Sequence, residues 1–133
     1  YHSLKTDTQS GEGHVLRGAE KFLNEECVGV EAELFFMPLY KGTTLAEDVI
    51  SYLRALGFVV AGRSPLKGSF NSQSDCLFVR AEPRDTEEAQ IKNLILSIYG
   101  VSNSRSVIKR RPWKQQLRMG LHEAAFRAGI SRR

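Results

Sequence analysis

Residues 4–20 do most to limit the folds open to this chain. A short extended segment, Leu4-Lys5-Thr6, runs into the polar turn Asp7-Thr8-Gln9-Ser10-Gly11-Glu12. A helical pattern follows at once. From Gly13 to Asn24 the apolar positions are Val15, Leu16, Ala19, Phe22 and Leu23, a 3.6-residue period that gives a helix one buried stripe. A strand that turns directly into an amphipathic helix is the opening unit of an α/β sheet. In such sheets ligands bind at the carboxyl ends of the strands, where this turn would lie.

The rest of the chain continues the alternation. Cys27 to Phe36 is the most strand-like run, with Val28 and Val30 alternating with Gly29 and Glu31 before the apolar Leu34-Phe35-Phe36. A strand buried on both faces tolerates Gly29 and Ala32 where a helix packs closely. Met37 to Thr44 is a loop broken by Pro38 and Gly42. Thr44 with Glu47 forms a capping-box pattern, and the helix that follows aligns Leu45, Val49, Leu53 and Leu56 before stopping at Gly57. Phe58 to Ala61 is a short strand, 62–74 a polar loop, and Asp75 to Arg80 the last strand. The first three strands fit a parallel βαβαβ unit, with the final pair a hairpin at the sheet edge.

After Pro83 the character changes. Asp85 with Glu88 caps a helix whose stripe is Ile91, Leu94, Ile95 and Ile98, ending near Gly100. Residues 101–112 are a Ser/Arg-rich linker. Pro112 opens a second helix lined by Trp113, Leu117, Leu121, Ala124 and Ala128 and ended by Gly129. The expected organisation is an α/β unit over 1–82 and a helical, basic extension over 83–133.

Composition excludes some classes. With 41% hydrophobic and 26% charged residues, a chain of 133 residues suits one globular domain. No apolar run approaches the ~18–20 residues needed to cross a bilayer. Cys27 and Cys76 are far apart, each opening an apolar run, which points to two buried thiols in a reducing, cytoplasmic setting. His2, His14 and His122 show no ligand spacing, so no metal is expected. Residues 105–133 hold nine basic side chains against Glu123 alone, a net +8; with +4 overall, residues 1–104 carry −4. Lys109-Arg110-Arg111 beside Trp113 and Lys114 suits nucleic-acid phosphates or a membrane surface. It equally suits a solvated helix that packs its Trp113 stripe on the domain.

Motifs in order add a more specific expectation. Lys5, Asp7, Gln9, Glu12, Val15, Leu16, Gly18, Ala19 and Glu20 keep fixed spacings, as do Val30, Glu31, Glu33, Phe36, Pro38, Leu39 and Tyr40. Leu56-Gly57-Phe58 and Asp75-x-x-Phe78-Val79 follow. Over residues 3–82 the chain resembles the FkbM family of S-adenosylmethionine-dependent methyltransferases. The resemblance implies a partial Rossmann-like methyltransferase sheet, supplying strands four to seven of seven. It implies S-adenosylmethionine as cofactor and O-methylation of a hydroxyl on a sugar, glycolipid or polyketide. The family's glycine-rich cofactor turn and ribose-binding acid lie upstream of these residues. With Tyr1 first and no initiator Met, the chain is expected to be a fragment, inactive alone. Its open sheet edge would then pair with a missing N-terminal half or another copy.

Within that frame Asp7 and Glu33 are the candidate catalytic carboxylates. Gln9 is the candidate cofactor contact, and Glu12 and Tyr40 are candidate substrate contacts. Methyl transfer to a hydroxyl needs an oriented nucleophile and often a base. Glu31 and Glu33 share one face of their strand, Glu31 being expected to pair with a Lys or Arg. Glu12 also suits the positive end of the helix dipole. Ser10 stands where the family has Gly, a strained position unless the turn shifts to use Gly11. The alternative, from a different class, is a non-catalytic α/β module that binds a partner or nucleic acid through its basic tail.

Overall fold

The computed structural model describes residues 1–101. The linker, the second helix and the basic cluster expected over 102–133 lie outside the described residues. In chain order the elements are β1 (Ser3–Thr6), α1 (Glu12–Gly18), α2 (Glu20–Glu25), β2 (Gly29–Phe35), α3 (Ala46–Ala55), β3 (Phe58–Arg63), β4 (Gln73–Arg80) and α4 (Thr86–Ile98). A short 3₁₀ turn, Ser69–Asn71, lies between β3 and β4. The fold is α/β, with a four-stranded mixed sheet in the order β1-β2-β4-β3.

β1 and β2 are parallel neighbours, whereas β4 runs antiparallel to both β2 and β3. β2 and β3 therefore point the same way, as a βαβαβ unit requires, but they do not touch. β4 is inserted between them, which corrects the expected order. The reason is burial. Cys76-Leu77-Phe78-Val79 is an unbroken apolar run with both faces covered, the signature of a central strand. β3 is half-exposed over Val59–Gly62 and bulged between Val60 and Gly62, as edge strands often are.

The main core lies between the sheet and α1–α3. Leu16, Leu23, Leu53 and Val49 pack there on Val30, Ala32, Leu34, Cys76, Phe78 and Phe58. Burying a phenyl such as Phe58 or Phe78 contributes about 1.5–3 kcal/mol. Cys27 and Cys76 are free and buried in this core. α4 covers part of the other face through Leu96 and Ile95 against Leu77 and Val79. Gly29 admits it: a Cβ there would stand 2.9 Å from Ile95 Cδ1.

Three local expectations change. The helix expected from Gly13 to Asn24 breaks at Ala19 (φ −95°, ψ 9°), just after Gly18, whose helix propensity is about 1 kcal/mol below alanine's. Val15 is left exposed. Thr44 does not cap α3. The N-cap is Leu45, with no side-chain cap, because Thr44 packs over Gly13 instead, its Cγ2 2.8 Å from where a Cβ would stand. On α4 Leu94 and Ile98 face outward while Glu88 and Leu96 are buried. Polar bonds decide that rotation: Arg84 bonds both Glu88 and the Asn24 carbonyl, Lys92 donates to Ala81 O, and the Tyr99 hydroxyl donates to Glu31. The Asp85 cap forms as expected, its carboxylate accepting Glu88 N at 2.8 Å.

One buried charge ties the main core together. Arg80, 8% exposed, donates to the Cys27 and Leu56 carbonyls at 3.1 and 3.4 Å and to Leu23 O. Leu23 lies in the last turn of α2 and Leu56 is the C-cap of α3, so the guanidinium meets carbonyls that helix ends leave unpaired. It also lies 4.6 Å from the centre of the Phe58 ring.

Candidate functional site

The site grows from the register of β1 on β2. Thr6 pairs with Ala32, so the next residues, Asp7 and Glu33, leave the sheet level with one another. Strand alternation turns both away from the main core, toward the face that α4 covers only in part. Antiparallel β4 then brings Asp75 opposite Glu33. Three carboxylates thus meet at the carboxyl ends of β1 and β2.

Two side chains join them. Gln9 Nε2 donates to Asp7 Oδ1 and to Glu33 Oε2, each at 3.2 Å. Lys67 Nζ lies 3.2 Å from Glu33 Oε1 and 2.7 Å from Asp75 Oδ2. Glu33 is 5% exposed, whereas Asp7 and Gln9 are open to solvent. Burial pushes the Glu33 carboxyl above the ordinary carboxylate range and nearby Asp7 adds to this, while the bond from Lys67 opposes it. Lys67 is held above the usual lysine value chiefly by its bond to Asp75. Further down the same face Glu31 pairs with Lys5 at 3.0 Å, as expected, and also accepts from Tyr99, whose hydroxyl is pushed up to about 12.

The turn that presents Gln9 is strained. Gln9 (φ 52°) and Ser10 (φ 86°) both occupy the left-handed region that favours glycine. Gly11 does not: its φ is −90°. The turn has not shifted to use its glycine, so Ser10 bears the strain, of a kind that gathers at ligand-binding turns.

The other candidates are placed apart from this network. Glu12, 1% exposed, folds back under the turn, where Oε1 accepts Thr8 N at 2.8 Å and Thr8 Oγ1 at 3.0 Å. Its Oε2 has no partner among the described residues. Tyr40 is half-exposed in the loop after β2, its ring edge-on to Phe35 at 6.4 Å. The structure therefore joins Asp7, Gln9 and Glu33 and adds Lys67 and Asp75, which sequence reasoning missed. Asp75 faces Glu33 only because β4 is inserted beside β2. Lys67 sits in a polar loop that carries no motif.

Among the described residues the donor set does not form a cradle for S-adenosylmethionine. The glycines of the turn are spent on the chain's own packing: a Cβ on Gly11 would meet Thr8 Oγ1 at 3.1 Å, and Gly13 is covered by Thr44. Among the described residues no group of three or more His, Cys, Asp and Glu side chains is arranged to hold a metal ion. No helix among them is long and apolar enough to cross a membrane. Comparison of the chain with protein-family models, curated proteins and solved structures finds no match.

Proposed function

We propose that this chain forms the acceptor side of an FkbM-type, S-adenosylmethionine-dependent methyltransferase pocket in a cytoplasmic protein. The observation that carries this reading is the Asp7–Gln9–Glu33 network at the carboxyl ends of two neighbouring parallel strands. Ligands of open α/β sheets collect there. A hydroxyl of a sugar, glycolipid or polyketide placed between Asp7 and Glu33 has two carboxylate acceptors. Gln9, bonded to both, fixes their separation. Glu33 is the proton acceptor: its raised proton affinity brings it nearer neutrality, where a general base works best. As the oxygen becomes a nucleophile, its proton passes to the Glu33 carboxylate. The cofactor's cradle has to come from residues other than those described. The edge of β1, unpaired among the described residues, is where a complementary half, or a second copy, would continue the sheet.

The test is acceptor-dependent transfer of labelled methyl from S-adenosylmethionine by the protein as its gene encodes it. Glu33→Gln is expected to lower kcat by about 100-fold or more, the usual worth of a general base. Transfer that is indifferent to both Glu33→Gln and Asp7→Asn would sink the assignment. Calorimetric titration of S-adenosylmethionine into the 133-residue chain should give no binding heat.

The second reading, a non-catalytic α/β module binding nucleic acid or another partner, is favoured by the net +8 of residues 105–133. Retention on RNA or DNA that weakens steeply with salt supports it.

A further inference from the structure

The Asp7–Gln9–Glu33 network contains no positive charge, yet a buried carboxylate needs one to stay ionised. The cation comes from the loop between β3 and β4, which is built to present it. Lys67 and Gln73 exchange backbone hydrogen bonds at 2.8 and 3.1 Å, closing a tight loop. Gly68 has φ 76°, which favours glycine, and a Cβ on it would stand 2.5 Å from the end of the Gln73 side chain. Ser72 Oγ donates to Ser69 O at 2.6 Å, and Phe36 N to Ser72 O at 2.8 Å, fastening the loop to the residue just after β2. The Lys67 ammonium is thus delivered to the Glu33–Asp75 pair from a fixed base.

We propose that Lys67 is the positioning residue of this site, its ammonium bridging Asp75 and Glu33 so that Glu33 is held ionised and aimed along the sheet toward Gln9. The proposal rests on the reading of Glu33 as proton acceptor, and it is tested without activity. Glu33 faces Asp7 in the turn after β1, Asp75 on β4 and Lys67 in the loop. On its own strand Glu31 is neutralised by Lys5 of β1 and bonded by Tyr99 at the end of α4. Of these groups, Lys67 is the cation in contact with Glu33, while Asp7 and Asp75 both repel a second charge there. Removing it leaves Glu33 beside two carboxylates with no counter-charge in contact among the described residues.

The experiment is a carbon-detected NMR titration of the glutamate carboxyls in the full 133-residue chain, wild type against Lys67→Met, Lys67→Gln and Lys67→Arg. A nearby opposite charge is worth about 1–3 pH units, and the half-exposed Lys67 should supply the lower end. The Glu33 midpoint is expected to rise by about one pH unit in Lys67→Met and Lys67→Gln, a tenfold gain in proton affinity, and to return in Lys67→Arg. Lys67→Gln keeps a donor without the charge, so it serves if Lys67→Met fails to fold. A Glu33 midpoint that stays within 0.3 units, an arbitrary but measurable margin of roughly twofold, in either neutral variant overturns the proposal. The methyltransferase reading is judged separately: a normal Lys67 response with no methyl transfer by the protein as its gene encodes it would retire that reading and leave the Lys67 assignment standing.

Discussion

Replacing Ser10 with glycine should stabilise the protein, although it deletes a side chain. Ser10 has φ 86°, where an L-residue costs about 1–2 kcal/mol and glycine almost nothing. Against this, glycine gains freedom in the unfolded chain worth about 0.4–1 kcal/mol. The backbone hydrogen bond from Thr44 N to Ser10 O, at 3.4 Å, is retained by glycine. The net expectation for Ser10→Gly is a gain of roughly 1 kcal/mol, a rise in Tm of about 4 °C for a domain of this size. Ser10→Ala separates the contributions, since it removes the hydroxyl but keeps the strain; its stability should match wild type within about 0.5 kcal/mol. Urea unfolding followed by circular dichroism measures both variants. The reasoning fails if Ser10→Gly is no more stable than Ser10→Ala, because the difference between them is the backbone contribution alone. A turn that had shifted to use Gly11 would give that result.

Two other outcomes can be checked by the same unfolding assay. Arg80→Met should cost about 3 kcal/mol, because the carbonyls of Leu23, Cys27 and Leu56 lose a charged donor inside the core; a loss under about 1 kcal/mol would mean water satisfies them. Stability should also fall in alkali. Burial pushes the Cys27 thiol from 9.0 up to about 11 and the Cys76 thiol up to about 12. Both folded values exceed the unfolded one, so this stability is complete below pH 9 and declines as pH rises toward them. At pH 10 the two thiols together remove about 3 kcal/mol, and replacing both with alanine should flatten that part of the pH profile.

Much of this structure follows from interactions between residues close in sequence. The period of Val49 and Leu53 with the stop at Gly57 (φ 89°), and the Asp85 side chain on Glu88 N, define α3 and α4 whatever surrounds them. The placement of Asp7 at the end of one strand and Glu33 near the end of the next is equally local, since strand alternation and a β-turn-α pattern carry it. Strand order is different in kind. Whether β2 lies beside β3 or β4 depends on which strand gains more by having both faces covered, and that is a comparison across the whole sheet. Everything built on that choice was hidden with it: Asp75 opposite Glu33, Lys67 between them, and Arg80 delivered to the ends of α2 and α3. The same holds for α4. Its most apolar stripe includes Leu94 and Ile98, yet Lys92 and Tyr99 find partners on the domain, at Ala81 and Glu31, and fix the helix with those two residues outward. The sequence by itself determined most of the elements and the placement of two carboxylates, Asp7 and Glu33, toward the carboxyl ends of two strands. Tertiary packing alone decided their neighbours, because long-range pairing is settled by the total burial and charge balance of the fold.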